Sequence, residues 1–155
     1  MNFIRKETYS QKVYLKGIAP FDVIKSFHKY DFVKFLTALQ PVKINSWTGI
    51  DHNKRASFSF WLFGWRDFSV IHKNYSVEKN HLYFEDHGED IPFGLNEWKH
   101  VHIVEEYSNG SVIYDTITID KSSIMKRIFI HPIMLFPIFI RHLSYKMWFY
   151  FGKGK

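Results

Sequence analysis

The chain has 155 residues, a length typical of one domain spanning 1–155, and it contains no cysteine, which excludes disulfides, thiolate metal sites and cysteine nucleophiles. The net charge is +6, and aromatic residues make up 19% of the sequence. Large rings fill a protein core well, and they also line apolar ligand cavities.

The N-terminal quarter predicts one extended segment followed by short helices. Residues 2–17 alternate in polarity, which is typical of a strand. Pro20 suits the first turn of a helix, and apolar residues then recur at spacings of one, three and four. One or two short helices are therefore predicted over 20–39, and Pro41 ends them.

The middle of the chain predicts strands only. Asn109-Gly110 is the strongest hairpin signal in the sequence. Alternating and β-branched segments between turn residues indicate six strands, over residues 42–48, 55–63, 66–75, 81–86, 98–107 and 111–119.

The C-terminal segment, 122–151, predicts a helix. Pro132 and Pro137 argue against a regular helix before about residue 137, and Phe139 and Leu143 belong to the helical spacing that follows. A consecutive run of antiparallel strands must bury one face, and this helix is the one predicted element long enough to cover it. A strongly curved sheet around a helix leaves a space between them, which is the candidate cavity.

The hairpin around Asn109-Gly110 carries the candidate functional groups. A two-residue turn pairs Ser108 with Ser111, and alternation then predicts Trp98, His100, His102 and Asp115 on one face with several isoleucines. This face has more large apolar groups and no lysine, so it is predicted to be concave. In this register Asp115 is a diagonal neighbour of His102.

Three roles remain open for the predicted His102–Asp115 pair. It could bind a carbonyl or hydroxyl group of a ligand, act as a general base with its orienting carboxylate, or be a satisfied hydrogen bond in a wet core. His100 and His102 could also supply two metal ligands, but no spacing demands a third from Asp115, His72 or His81. No metal and no cofactor are predicted.

The motif over residues 84–115 resembles a known family. Its matching residues are Phe84 and Asp86, Pro92 and Phe93, Trp98 with His100 and His102, and Gly110 with Asp115. Together with the element order, they resemble the helix-grip fold of the START/SRPBCC superfamily, and more narrowly its small bacterial cyclase/dehydrase-like or ligand-binding members. Ile91 departs from a glycine of the family pattern, Ser111 from a common threonine, and the proline-bearing tail after Asp120 from the usual form.

The resemblance implies an α+β helix-grip fold: a curved seven-stranded antiparallel sheet wrapped around a long C-terminal helix, with short helices after the first strand. It also implies a cavity for a hydrophobic or amphipathic small molecule, of lipid, polyketide or isoprenoid type. The alternatives are a cyclase/dehydratase-type enzyme that uses the His–Asp pair as acid and base, and a peripheral membrane-associated lipid-handling protein. The polar groups His100, His102 and Asp115 would hold a ligand oxygen, and the apolar wall would come from Trp98, Tyr83, Phe60, Phe139 and Leu143.

Partners and location are predicted from charge and hydropathy. Basic residues do not interleave with aromatic ones in a recognised module, so nucleic acid is not expected as a partner. Residues 148–151 are aromatic and precede Lys153 and Lys155, so this end could contact a membrane surface weakly, or pack on the sheet. No signal-peptide core appears, and the uncharged apolar run 128–140 is short for a membrane span, so a soluble cytoplasmic protein is expected, as monomer or dimer.

Overall fold

A computed structural model describes residues 6–120 and 123–152. In chain order the elements are β1 (Lys6–Lys16), α1 (Pro20–Phe27), α2 (Tyr30–Thr37), β2 (Val42–Trp47), β3 (Arg55–Trp61), β4 (Trp65–Glu78), β5 (His81–Gly88), a 3-10 turn (Pro92–Gly94), β6 (Trp98–Tyr107), β7 (Gly110–Asp120), α3 (Ile124–Phe139) and α4 (Arg141–Phe151).

The seven strands form one antiparallel sheet in the order β1-β7-β6-β5-β4-β3-β2. Register shifts between Ile44 and Ser46 on β2 and between Lys73 and Ser76 on β4 mark irregularities of the bulge type, which bend a sheet and increase its twist. The helices follow the predicted order, and the predicted helix-grip fold class is confirmed.

The β6–β7 hairpin has a different register from the predicted one. Tyr107 pairs with Gly110, so the turn is Ser108-Asn109, with Ser108 in the left-handed region at φ 50°. A side chain at Gly110 would approach the carbonyl oxygen of Leu15 to 2.2 Å. The glycine therefore permits the close approach of β1 and does not form the turn itself. The slip is two residues, so every side chain keeps its predicted face.

The C-terminal helix begins earlier than predicted. Ser123 caps α3, and the helix continues through Pro132 and Pro137. A proline inside a helix removes one backbone hydrogen bond and costs about 3 kcal/mol. Burial of apolar side chains between the prolines, including Leu135, offsets that loss, since each contributes roughly 1.5–3 kcal/mol. Hydrogen bonding continues across Ile140, whose carbonyl accepts from the next turn, so α3 and α4 follow one another almost without interruption.

The helix also presents a different face to the sheet from the predicted one. Phe139 and Leu143 are 42% and 53% exposed, whereas Ile138, Tyr145 and Phe149 are buried. The predicted apolar wall residues of this helix thus lie on its outer surface, and the residues one or two positions along the chain face the interior.

Candidate functional site

A cavity of about 130 Å³ lies between the inner face of the sheet, α2 and α3. This volume is smaller than the roughly 300–1,000 Å³ of pockets for drug-sized ligands, so it suits a compact molecule. Its walls are mostly apolar. They include Phe32, Val33, Leu36, Val42, Trp47, Ile50, Ala56, Phe58, Phe60, Phe68, Val70, Phe84, Trp98, Ile133, Met134, Pro137 and Ile138.

One end of the cavity is polar. His72, Asp86, His102 and Arg141 line it together with the apolar rings. The cavity is therefore amphipathic, with most of its wall apolar and its charged groups gathered on neighbouring strands and at the start of α4.

The strand register brings these polar groups together in two cross-strand rows. In one row His72 of β4 pairs with Asp86 of β5, which pairs with His100 of β6. In the next row His102 of β6 pairs with Asp115 of β7, which pairs with Gln11 of β1. All of these side chains point to the inner face, because directly paired residues share one face of a sheet and His100 and His102 are two positions apart on β6.

Asp86 joins two histidines. Its Oδ1 accepts a hydrogen bond from His72 Nδ1 at 2.7 Å, and its Oδ2 accepts one from His102 Nε2 at 2.9 Å. His72 and His100 are both directly opposite the aspartate, whereas His102 is a diagonal neighbour; Oδ2 is nonetheless closer to His102 Nε2, at 2.9 Å, than to His100 Nδ1, at 3.7 Å.

Asp115 joins the other side of the network. Its Oδ1 lies 2.9 Å from His100 Nε2 and 3.2 Å from His102 Nδ1. Gln11 Nε2 donates to Oδ2 at 3.0 Å, and the hydroxyl of Tyr145 on α4 donates to Oδ1 at 3.4 Å. His102 thus lies between two carboxylates, and the C-terminal helix contributes to the same network.

Burial and charge set the protonation of this network. Burial would raise the pKa of Asp86 and of Asp115, but the imidazoles that bind them hold both values below the ordinary range. Burial would lower the pKa of His102, but the two carboxylates raise it. Burial and the neighbouring charge of His102 lower the pKa of His100 to about 4. The two rings, 3.7 Å apart, therefore differ in proton affinity: the carboxylates favour the protonated form of His102, and the neutral form of His100 is favoured beside it.

Several nitrogens of the cavity-lining residues lack hydrogen-bond partners, and those of His72 and Arg141 are at its polar end. His72 Nδ1 is bound to Asp86, and the other ring nitrogen, Nε2, is buried without a partner. Arg141 Nε is also buried without one. Arg141 is close enough to Tyr145 that its charge lowers the pKa of that hydroxyl, against the larger effect of burial. Unpaired buried polar atoms beside a cavity are groups that a ligand can satisfy.

The predicted site residues divide into three sets. Trp98, His102 and Phe60 line the cavity. His100 and Asp115 are buried behind that wall and reach it through His102.

The third set lies elsewhere, and the predicted wall positions of its members are corrected. Tyr83 is on the opposite face of β5, where its hydroxyl donates to Glu85, because it is one residue from the inward-facing Leu82 and Phe84. Phe139 and Leu143 are on the outer side of the C-terminal helix.

The prediction omitted several residues of the site. Asp86 belonged to the family motif but not to the predicted site, although alternation on β5 would place it on the face of Phe84. His72 was considered solely as a metal ligand. Arg141 and Tyr145 carried no signal in the sequence, because their place depends on the rotation of the helix.

The cluster has the donor set of a metal site. Asp86, His100 and His102 each place one possible ligand atom within 4.8 Å of the others. In this arrangement the oxygens of Asp86 accept hydrogen bonds from His72 and His102, so protons occupy the positions between the donor atoms. The absence of a metal stays a prediction.

Comparison with solved structures finds the same fold at low sequence identity. Norcoclaurine synthase from Thalictrum flavum, in complex with dopamine and hydroxybenzaldehyde, matches with a TM-score of 0.60 and 12% identity over 91% of this chain and 84% of that one. A hypothetical protein of Helicobacter pylori matches with a TM-score of 0.61 and 15% identity, over 90% and 86%.

A protein of unknown function from Staphylococcus aureus, SA2116, matches with a TM-score of 0.59 and 11% identity, over 92% of this chain and 93% of that one. No family model and no curated protein sequence matches the chain. At these identities the likeness shows the fold, and the site must be argued from its own geometry.

Proposed function

We propose that this chain, which has the helix-grip fold of the START/SRPBCC superfamily, binds a compact amphipathic small molecule in the cavity between sheet and C-terminal helix. The observation that carries the proposal is a mostly apolar cavity whose charged lining residues are gathered at one end, where His72 Nε2 and Arg141 Nε lack partners. A structurally similar protein, norcoclaurine synthase, is described with small aromatic molecules bound.

The proposed ligand has a ring or short apolar body and a hydroxyl group. The aromatic and aliphatic walls would hold the body, and a hydroxyl would form a hydrogen bond with His72 Nε2. A lipid, polyketide or isoprenoid-like compound of this kind would fit if its polar oxygen enters first and any longer chain leaves through the opening between α2 and α3. Half-buried lining residues such as Val33, Ile133 and Pro137 mark that opening.

Binding of 2-naphthol and of 2-methylnaphthalene tests the proposal by calorimetry. We expect 2-naphthol to bind about fivefold more tightly, because one hydrogen bond contributes about 1 kcal/mol. The variant His72→Phe should remove this difference. Val33→Trp, which fills the opening, should weaken both compounds at least about tenfold, whereas Val101→Trp, at a half-buried position on the outer face of β6, should not. Equal binding to all variants would place these compounds outside the cavity.

Acid–base catalysis is the second candidate function, and the environment of His102 favours it. His102 reaches the cavity and lies between two carboxylates that raise its pKa, which favours the protonated form that a general acid needs. Its predicted role as a general base therefore changes to that of a general acid, with Asp86 and Asp115 as orienting groups. In an enzyme, His102→Gln should reduce turnover far more than affinity, whereas in a carrier it should leave apolar ligands bound.

A further inference from the structure

The charge of this protein is segregated along the chain. Seven of the 21 basic residues and none of the 15 acidic residues lie after Asp120, so the last 35 residues carry a net charge of +7 and the first 120 carry −1. The described basic residues of this segment include Lys126 and Arg127 at the start of α3, and Lys146 on α4. Among the described basic residues, Arg127 pairs with Glu7 at 2.8 Å and Arg141 lines the cavity, so Lys126 and Lys146 are the basic groups that this segment offers to an anionic partner.

The same segment exposes a continuous apolar face. The side chains of Met125, Ile128, Phe129, Phe136, Phe139 and Leu143 recur at spacings of one to seven residues along the helix, and each is between 42% and 60% exposed. The helical segment Ile124–Phe151 has a mean hydropathy of 1.3 in its most apolar window, and 33% of that window is buried. A core helix of a soluble protein is mostly buried, so this outer face is left without a partner in the fold.

We infer that this outer face docks on an anionic membrane surface. Apolar side chains flanked by basic ones, with no acidic residue in the segment, match the chemistry of an anionic bilayer surface: an apolar layer beneath negatively charged headgroups. The inner face of the same helix remains against the sheet, where Tyr145 bonds Asp115, so the helix lies in the plane of the interface and does not span the bilayer.

A second copy of the chain fits this face less well. A two-fold interface brings the same surface of both subunits together, so it would bring the basic residues beside this face, Lys126 and Lys146, towards their own copies. Like charges facing one another oppose association. The charge that attracts the segment to an anionic bilayer therefore works against its use as a dimer interface.

The aromatic residues 148–151 at the end of α4 divide between the fold and its surface. Trp148 packs against Phe32 and Phe35, and Phe149 is buried, whereas Tyr150 and Phe151 are 38% and 86% exposed. The docking face is the outer side of α3 and the first turn of α4. It borders the opening of the cavity, because Phe136 is followed directly by Pro137, a lining residue.

Vesicle flotation tests this inference independently of any ligand. The protein is mixed with phosphatidylcholine vesicles, with or without phosphatidylglycerol, at low salt and at about 1 M salt, where the Debye length falls to about 3 Å. We expect flotation with the phosphatidylglycerol vesicles at low salt, and a clear loss at high salt or without the anionic lipid.

Two double variants with matched changes identify the surface. Phe129→Ser with Phe136→Ser should reduce flotation at least tenfold. Phe21→Ser with Tyr107→Ser, which removes two comparably exposed rings from α1 and the β6–β7 hairpin, should not. Lys146→Gln should lower binding in anionic vesicles alone. Absence of flotation overturns the inference, as does equal flotation of both double variants. A salt-insensitive dimer that Phe129→Ser with Phe136→Ser dissociates, in sedimentation without vesicles, would assign the face to a second copy.

Discussion

Lowering the pH should destabilise this protein through His100. The ring is fully buried, and its pKa falls from 6.5 to about 4 in the folded state. The folded protein therefore resists protonation of His100 while the unfolded chain accepts it. The stability that the neutral ring confers is complete above pH 6.5, and it is lost as the pH falls from 6.5 towards 4.

The magnitude follows from the two pKa values. A difference of about 2.5 units corresponds to roughly 3 kcal/mol when protonation is complete. Between pH 7 and pH 5 the loss from His100 alone is about 2 kcal/mol. His102 acts in the opposite direction, because its pKa is raised and the folded state already holds that proton. The wild type should therefore lose less free energy of unfolding than His100 alone would account for, and a variant is needed to measure the contribution of His100.

Urea unfolding of the wild type and of His100→Gln at pH 7 and pH 5 measures the contribution of His100 to the free energy of unfolding. Glutamine retains a donor for Asp115 and does not titrate, so the variant should lose about 2 kcal/mol less than the wild type over this interval. The control His81→Gln removes a part-exposed imidazole outside the network and should keep the wild-type slope. Parallel pH profiles for the wild type and His100→Gln would show that burial of His100 does not control its protonation.

Three further substitutions test the network and the hairpin by urea unfolding. Asp86→Asn should cost about 3–5 kcal/mol, because it removes a buried carboxylate bound by two imidazoles. Tyr145→Phe should cost about 1–3 kcal/mol, since it leaves the network short of one hydroxyl. Gly110→Ala should destabilise the protein more than Gly17→Ala. A methyl group at Gly110 would meet the carbonyl of Leu15. A methyl group at Gly17 would meet open space, so that variant should lose only the roughly 1–2 kcal/mol that a left-handed backbone costs. A smaller loss at Gly110 than at Gly17 would contradict the close approach of β1.

The strands of this protein could be predicted from its sequence because their pattern is local. Alternation with period two identified β6 as Trp98–Tyr107, with the bounds that the structure has. The inward face of the hairpin was also predicted, because a register error of two residues leaves each side chain on its own face. An error of one residue would have turned His100 and His102 outward.

The partners within the site depend on contacts that no local pattern records. Asp86 meets His72 and His102 because β5 pairs with both neighbouring strands, and the register on β4 includes an irregularity after Lys73. The sequence predicted a diagonal His102–Asp115 contact, and the structure instead places these residues opposite each other, with His100 as the diagonal partner. Strand order and register over long sequence separations decided these contacts.

The rotation of the C-terminal helix was the largest error, and its cause is physical. From Ile128 to Ile140 every residue except His131 is apolar or proline. The hydrophobic pattern therefore does not distinguish one face of the helix from another, and either face could have been buried. The structure buries His131, Ser144 and Tyr145, all polar, and leaves several large apolar residues in solvent. At the contact between helix and sheet, a hydroxyl that bonds a buried carboxylate stabilises the fold more than another apolar ring would, because a buried carboxylate without partners costs free energy. The network on the sheet thus selects the inner face of the helix, and the same choice leaves the apolar outer face to be covered by something outside the fold.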